Sequence, residues 1–261
     1  MTARTLNDIL LTVCEYALPR QSGAAESGSV TTLVDSVRKQ SPGGFTSGVL
    51  FIKTGTHAGK FFPVTTYDGS TGTFTFPTVT GAISAGVQYA AFEVEAGGNL
   101  YDFISAVNQS LRDLGVIPAE DETLTTVVDQ EAYNLPTGVS DVVAVWVAED
   151  LTAPYNYRPH RHWDEVGGTL RFHTGYAPAW ASYKIRLKYM TAHATLDTYE
   201  DAISRYINWN WLKYQTIVNL VRSLSNRGHN WDRYKNIFEE AQARLVNLRP
   251  WNETMLVIKA A

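Results

Sequence analysis

Apolar residues recur at helical spacing through Leu6, Ile9, Leu10, Val13 and Ala17, the repeat of a helix with one buried face. Pro19 ends that helix, because proline lacks the N–H and its ring clashes with the preceding turn. Residues 21–29 are small and polar and read as a flexible linker. From about residue 30 to 95 the period changes to that of strands. Val49-Leu50-Phe51-Ile52 is a short apolar run, and Phe61, Phe62 and Val64 begin another. Tyr67-Asp68-Gly69-Ser70 marks a turn before the alternating Thr73-Phe74-Thr75-Phe76, and Gly86 precedes an apolar strand over 87–94. Strands this close, joined by Gly-rich turns, predict a small antiparallel barrel or sandwich.

Gly97-Gly98-Asn99 breaks the chain, and Asn99 suits a helix N-cap. Leu100, Phe103, Ile104, Val107, Leu111 and Leu114 then form one stripe, closed by Gly115 at the C-cap position. A second β region runs from about 124 to 190. It contains a turn at Thr137-Gly138, an apolar strand over 142–148, a hairpin at Gly167-Gly168 and an alternating strand over 184–189. After it, Asp197 or Thr198 caps a long helix reaching about Leu224, with Tyr199, Ile203, Tyr206, Ile207, Tyr214, Ile217, Val218 and Val221 as its main stripe. A short turn containing Gly228 joins it to a last helix carrying Trp231, Tyr234, Phe238, Ala241, Leu245 and Leu248. So short a turn makes the two helices antiparallel neighbours. Pro250 ends the last helix, and Met255, Leu256, Val257 and Ile258 form an apolar, strand-like terminus.

The predicted fold is α+β: a helical bundle of about four helices, two inserted antiparallel β modules (small barrel or sandwich), and an extended C-terminal arm. The segments are the first bundle helix at 1–20, a β module at 28–96, a bundle helix at 99–115, a second β module at 123–191, a helical hairpin at 197–249 and the arm at 250–261.

Composition narrows the function. Charged residues are 18%, below the usual share of about 25%. The chain has 7 Trp and 14 Tyr. Few charges with many aromatics fit either surface hidden against partners or a large Tyr-rich β core. Net charge is −4, without the basic excess of a nucleic-acid binder. A mildly acidic protein can still surround DNA, since like charge prevents sticking. The single cysteine, Cys14, permits no intrachain disulfide; within an apolar helical pattern it reads as a small buried hydrophobe. No apolar run approaches the roughly 20 residues that span a membrane. No cleavable leader is recognised either, so the expectation is a soluble protein made in a cytoplasm.

The candidate chemistry is thin. Gly55-Thr56-His57-Ala58-Gly59-Lys60-Phe61 is one residue short of a phosphate loop and has Phe61 in place of the metal-binding hydroxyl. It reads as a turn between strands. His160-Arg161-His162 could put two imidazoles on one side of a strand, with Asp164, Glu165 and His173 nearby. Zinc wants three or four ligands, and the intervening arginine is unfavourable, so these read as exposed polar residues. Glu120-Asp121-Glu122 could supply an acid and a base, but after a helix end it reads as a solvated connector. No nucleophile elbow, dinucleotide fingerprint, HExxH or CxxC occurs. The expectation is a protein that is not an enzyme and needs no cofactor or metal.

Two features point instead to partners. On the long helix, Trp209, Leu212 and Leu220 fall outside the main stripe, which marks them as candidate subunit-interface residues, with burial in the same chain as the alternative. The run Met255, Leu256, Val257 and Ile258 follows a helix terminator, so it is suited to adding a strand to another sheet or to docking on its own β module.

Two stretches carry a resemblance. Thr31-Thr32-Leu33-Val34-Asp35-Ser36, Gly48-Val49-Leu50-Phe51-Ile52, Gly55-Thr56-His57-Ala58-Gly59-Lys60 and Tyr67-Asp68-Gly69-Ser70-Thr71-Gly72-Thr73-Phe74 resemble a β module of tailed-bacteriophage structural proteins. Val107-Asn108-Gln109-Ser110-Leu111 with Leu114-Gly115, then Asp129-Gln130-Glu131-Ala132-Tyr133-Asn134-Leu135-Pro136 and the hairpin after Asp197, look like phage neck (head-to-tail connector, or adaptor) proteins. The resemblance implies a virion protein forming a homo-oligomeric ring, typically a dodecamer. That ring docks on the portal, contacts the tail or next neck protein, and lets DNA pass through its lumen during ejection. It also makes Met255, Leu256, Val257 and Ile258 the candidate portal-binding arm, and it brings no catalytic residues. The two β insertions are larger than those of the smallest adaptors, which leaves a tail-side or fibre-type protein with carbohydrate- or host-recognition modules as the alternative.

Overall fold

A computed structural model describes residues 4–38, 45–94, 99–226 and 231–250. They form a mixed α/β structure with four helices and several antiparallel sheets, and the described strands close no barrel. The chain divides into two compact units. Unit 1 takes the described residues up to Asp113 and again from Thr195 to Pro250; unit 2 takes Leu114–Ala194.

Unit 1 opens with β1 (Arg4–Thr5) and α1 (Leu6–Ala17). The Asp8 carboxylate accepts the Thr5 N–H at 2.9 Å, half of a capping box. Leu6, Ile9, Leu10, Val13 and Cys14 are fully buried. The predicted linker is ordered: β2 (Arg20–Ala24) and β3 (Ser27–Gly28) lie in it. Then come β4 (Thr32–Val34), β5 (Val49–Ile52), β6 (Phe61–Pro63), β7 (Thr66–Asp68), β8 (Thr73–Thr75) and β9 (Gln88–Phe92). They make two four-stranded sheets, β2-β9-β5-β6 and β3-β4-β8-β7, which share a core of Leu33, Phe45, Leu50, Ile52, Phe62, Tyr67, Phe74, Phe76 and Tyr89. Aromatic rings in that core meet at 4.7 Å (Tyr67–Phe74) and 5.0 Å (Phe62–Phe76). The other face of the first sheet is buried as well, through Val49, Phe51, Phe61, Ala90 and Phe92, and there Phe61 meets Tyr199. Asp35, 2% exposed, accepts the Tyr89 hydroxyl at 2.8 Å. The turn beside it needs Gly72: its φ is +72°, and an added Cβ would lie 2.1 Å from the Asp35 carbonyl oxygen.

The helices follow. In α2 (Leu100–Leu114), Asn99 Oδ1 accepts the Tyr101 N–H and Asp102 accepts the Asn99 N–H, each at 2.9 Å; Gly115 at φ +80° ends the helix. The long helix starts later than its periodicity predicts, as α3 (Trp209–Asn226). Residues 197–208 do other work. Asp201 accepts the N–H groups of Asp197 and Thr198 at 2.6 and 2.8 Å, a local turn that competes with helix. The carbonyls of Tyr199 and Asp201 accept the N–H groups of Asn7 and Leu6, the first N–H groups of α1. The strand Ala202–Ile203 pairs with β1. Asn208 caps α3 by accepting the Asn210 N–H at 3.1 Å. The last helix is α4 (Trp231–Leu245).

Unit 2 contains β10 (Val116–Asp121), β11 (Ala132–Asn134), β12 (Val142–Ala148), β13 (Tyr157–His160), β14 (Trp163–Val166), β15 (Thr169–Phe172) and β16 (Ile185–Ala192). Their orders are β10-β16-β12-β13 and β11-β15-β14. Tyr133, Val145, Leu170, Phe172, Ile185 and Leu187 fill the core they share. Gly167 and Gly168 form the two-residue hairpin between β14 and β15, both at positive φ.

Candidate functional site

The predicted second apolar face of the long helix is covered by the same chain. Leu212 is 0% exposed and Leu220 2%. Trp209 is half-buried, with the Arg4 guanidinium 4.6 Å above its ring. The reason is the position of α3, which has neighbours on three sides. It packs along α4 and against α1, where Tyr16 meets Tyr214 edge-on at 5.6 Å. Its third neighbour is α2, joined through a polar cluster. Asn219 Nδ2 donates to Ser110 Oγ at 3.1 Å and to Asp113 Oδ2 at 2.8 Å, and Thr216 Oγ1 donates to Ser110 Oγ at 3.3 Å. Such a cluster fixes the register of two helices, because sliding would strand its buried groups. Met255, Leu256, Val257 and Ile258 lie outside the described residues.

The other sequence candidates resolve into structure. Residues 55–61 join two antiparallel neighbours, β5 and β6; His57 is buried, with its Nε2 2.9 Å from the Gly81 carbonyl oxygen. The acidic run is not a loop. Glu120 and Asp121 belong to β10, and Glu120 and Glu122 pair with Lys188 (3.5 Å) and Arg186 (2.6 Å) of β16. Arg186 also lies 3.7 Å over the Tyr157 ring, and Lys188 4.5 Å over Trp146. Glu120 and Glu122 are thus held by cations across the sheet, while Asp121 accepts the Thr123 N–H at 2.9 Å. Burial pushes the Cys14 thiol well above its usual range, which keeps it protonated and inert.

Three histidines of unit 2 come together. His162 stacks on Tyr176 at 3.8 Å, and His173 bonds through Nε2 to Asp164 at 2.9 Å. His160 meets Phe172 edge-on at 4.7 Å and its Nε2 is enclosed without a hydrogen-bond partner. Burial holds His160 below the usual imidazole range; His162 adds to the effect, and a backbone hydrogen bond with Tyr176 opposes it. Among the described residues, no three His, Cys, Asp or Glu side chains are grouped to hold a metal, and no helix is long and apolar enough to cross a membrane.

His160 and His162 line a cavity in unit 2 of about 830 Å³. One wall is the end of β12 and the edge strand β13, with Glu149, Arg158 and Arg161; the other is the loop carrying Tyr176, Trp180 and Tyr183. Trp180 is 67% exposed and Tyr176 49%. The two arginines outnumber the one carboxylate. Glu149 and Arg158 approach only to 4.0 Å, with both side chains largely in solvent, so both remain available. Sequence reasoning reached only the histidines of this cavity. Its signal was the aromatic residues of 176–183 set among Gly, Pro, Ser and Ala, since aromatics in loops have no strand or helix face to explain them.

No known protein family matches the chain, and no curated protein matches it significantly.

Proposed function

We propose that the chain is a structural virion protein of a tailed bacteriophage, a head-to-tail adaptor whose copies form a ring on the portal and leave a channel for DNA. The observation that supports this most is the build around α3. Its neighbours come from the beginning, middle and end of the chain, and the polar α2–α3 contact fixes their register. In this reading the four helices form one bundle and two β modules are inserted into it. The bundle gives each subunit a fixed shape, and the modules supply surface for neighbours. A net charge of −4 suits a lumen that DNA crosses without being gripped. The apolar run Met255 to Ile258 is the arm that adds a strand to the portal. The partners are further copies of the chain in a ring of about twelve, as the resemblance implies, the portal, and the next neck or tail protein.

The test is the mass of the purified full chain, alone and mixed with the portal of the same virus, followed by imaging. A ring-shaped complex on the portal is the expected result. A subunit that ignores the portal overturns the reading, and a chain lacking 250–261 that still docks removes the arm from it. A tail-side or fibre-type recognition protein is the second reading. One observation favours it, the aromatic-lined cavity of unit 2, and it predicts indifference to the portal.

A further inference from the structure

The unit 2 cavity combines three properties that select a ligand class. Its volume of about 830 Å³ lies in the range of sites that enclose small ligands, about 300–1,000 Å³. It presents aromatic surface to solvent at Trp180, 67% exposed, and at Tyr176, 49% exposed. Burying such rings is favourable, yet among the described residues Trp180 and the second face of Tyr176 stay open to solvent. His162 occupies one face of Tyr176 by stacking at 3.8 Å, which fixes that ring and leaves it a single open face. Arg158, Arg161 and Glu149 surround this apolar floor.

We propose that this cavity binds an acidic saccharide, a pyranose unit bearing a carboxylate. The C–H face of a pyranose ring matches an exposed indole or phenol. Its hydroxyls match Glu149, whose carboxylate accepts hydrogen bonds from them. Its carboxylate matches the guanidinium groups, which bind carboxylates through paired N–H donors. A nucleotide base fits less well. Trp180 and Tyr183 are inclined at 51°, not parallel as the walls of a base-stacking slot would be. The site goes beyond portal docking, since a subunit that docks and one that does not can both carry it. The two experiments therefore fail separately.

The test uses the full chain and isothermal titration with trigalacturonate, 3′-sialyllactose, maltotriose and AMP. At least one of the two acidic saccharides binds saturably and at least about tenfold tighter than maltotriose, a difference of about 1.4 kcal/mol, and its binding weakens with added salt. Trp180→Ala and Arg161→Gln each weaken it at least about tenfold, while their thermal melts match the parent because both side chains are exposed. Saturation-transfer NMR then places the sugar ring protons against the aromatic side chains. Equal affinity for maltotriose, preference for AMP, no saturable binding of either acidic saccharide, or binding that survives Trp180→Ala overturns the proposal.

Discussion

Asn108 of α2, 8% exposed, bonds twice to the backbone of Leu196, where the chain has just returned to unit 1. Its Nδ2 donates to the Leu196 carbonyl and its Oδ1 accepts the Leu196 N–H, both at 2.9 Å and across 88 residues of sequence. The side chain thus acts as one rung of an antiparallel ladder. Asn108→Ala removes both bonds and leaves two backbone groups stranded at a residue 1% exposed. Each stranded buried group costs about 1–3 kcal/mol. Water entering the space left by the amide recovers part of that, so the expected loss is about 2–4 kcal/mol. Asn108→Leu fills the space and excludes the water, so it costs more than Asn108→Ala. Urea unfolding followed by far-UV circular dichroism measures the loss, and amide exchange at Leu196 locates it. A loss under about 0.5 kcal/mol, or unchanged exchange at Leu196, refutes the argument.

Gly72→Ala combines a positive φ with a 2.1 Å clash against the Asp35 carbonyl and lowers stability by more than about 1 kcal/mol, read as a shift of the thermal midpoint. Leu220→Ala destabilises the isolated subunit by about 2–5 kcal/mol; an unchanged urea midpoint would mean that Leu220 is not core. The folded protein holds His160 less basic than the unfolded chain does, so acid favours unfolding. Its contribution is complete above about pH 6.5 and is lost as pH falls through the lower folded value. Urea midpoints from pH 8 to 5.5 decline accordingly, and His160→Gln flattens the part of that slope due to this imidazole. Arg186→Gln leaves Glu122 without its 2.6 Å partner at a half-exposed site, for a loss of about 0–1 kcal/mol, seen in the same urea titration.

Much of the fold was legible because its signals are local. The α1 stripe with its Pro19 stop, α2 between Asn99 and Gly115, the strand over 142–148 and the Gly167-Gly168 hairpin all rest on periodicity, caps and turn chemistry within a few residues. The errors are where a distant partner decides. Residues 21–29 look like a linker because the strands there contain small polar residues. Space requires this: a Cβ on Gly23 would lie 2.1 Å from the Asp35 carboxylate, which is held by Tyr89. Glu120 and Glu122 look like a solvated connector because the cations holding them, Lys188 and Arg186, lie more than sixty residues later.

The sequence by itself determined the class of the chain: alternating helical and β segments, an inert buried Cys14, no recognisable catalytic motif, and a low charge content. The tertiary structure decided three things. It delayed the start of the long helix to Trp209, because the N-terminus of α1 needs the carbonyls of Tyr199 and Asp201. It assigned Leu212 and Leu220 to the chain's own core, because α3 has neighbours on three sides where periodicity implies only one buried face. It also assembled the cavity around Trp180, whose walls come from β12, β13 and a loop separated in sequence. Periodicity reports which side of an element is apolar, but what covers that side is a property of the whole fold.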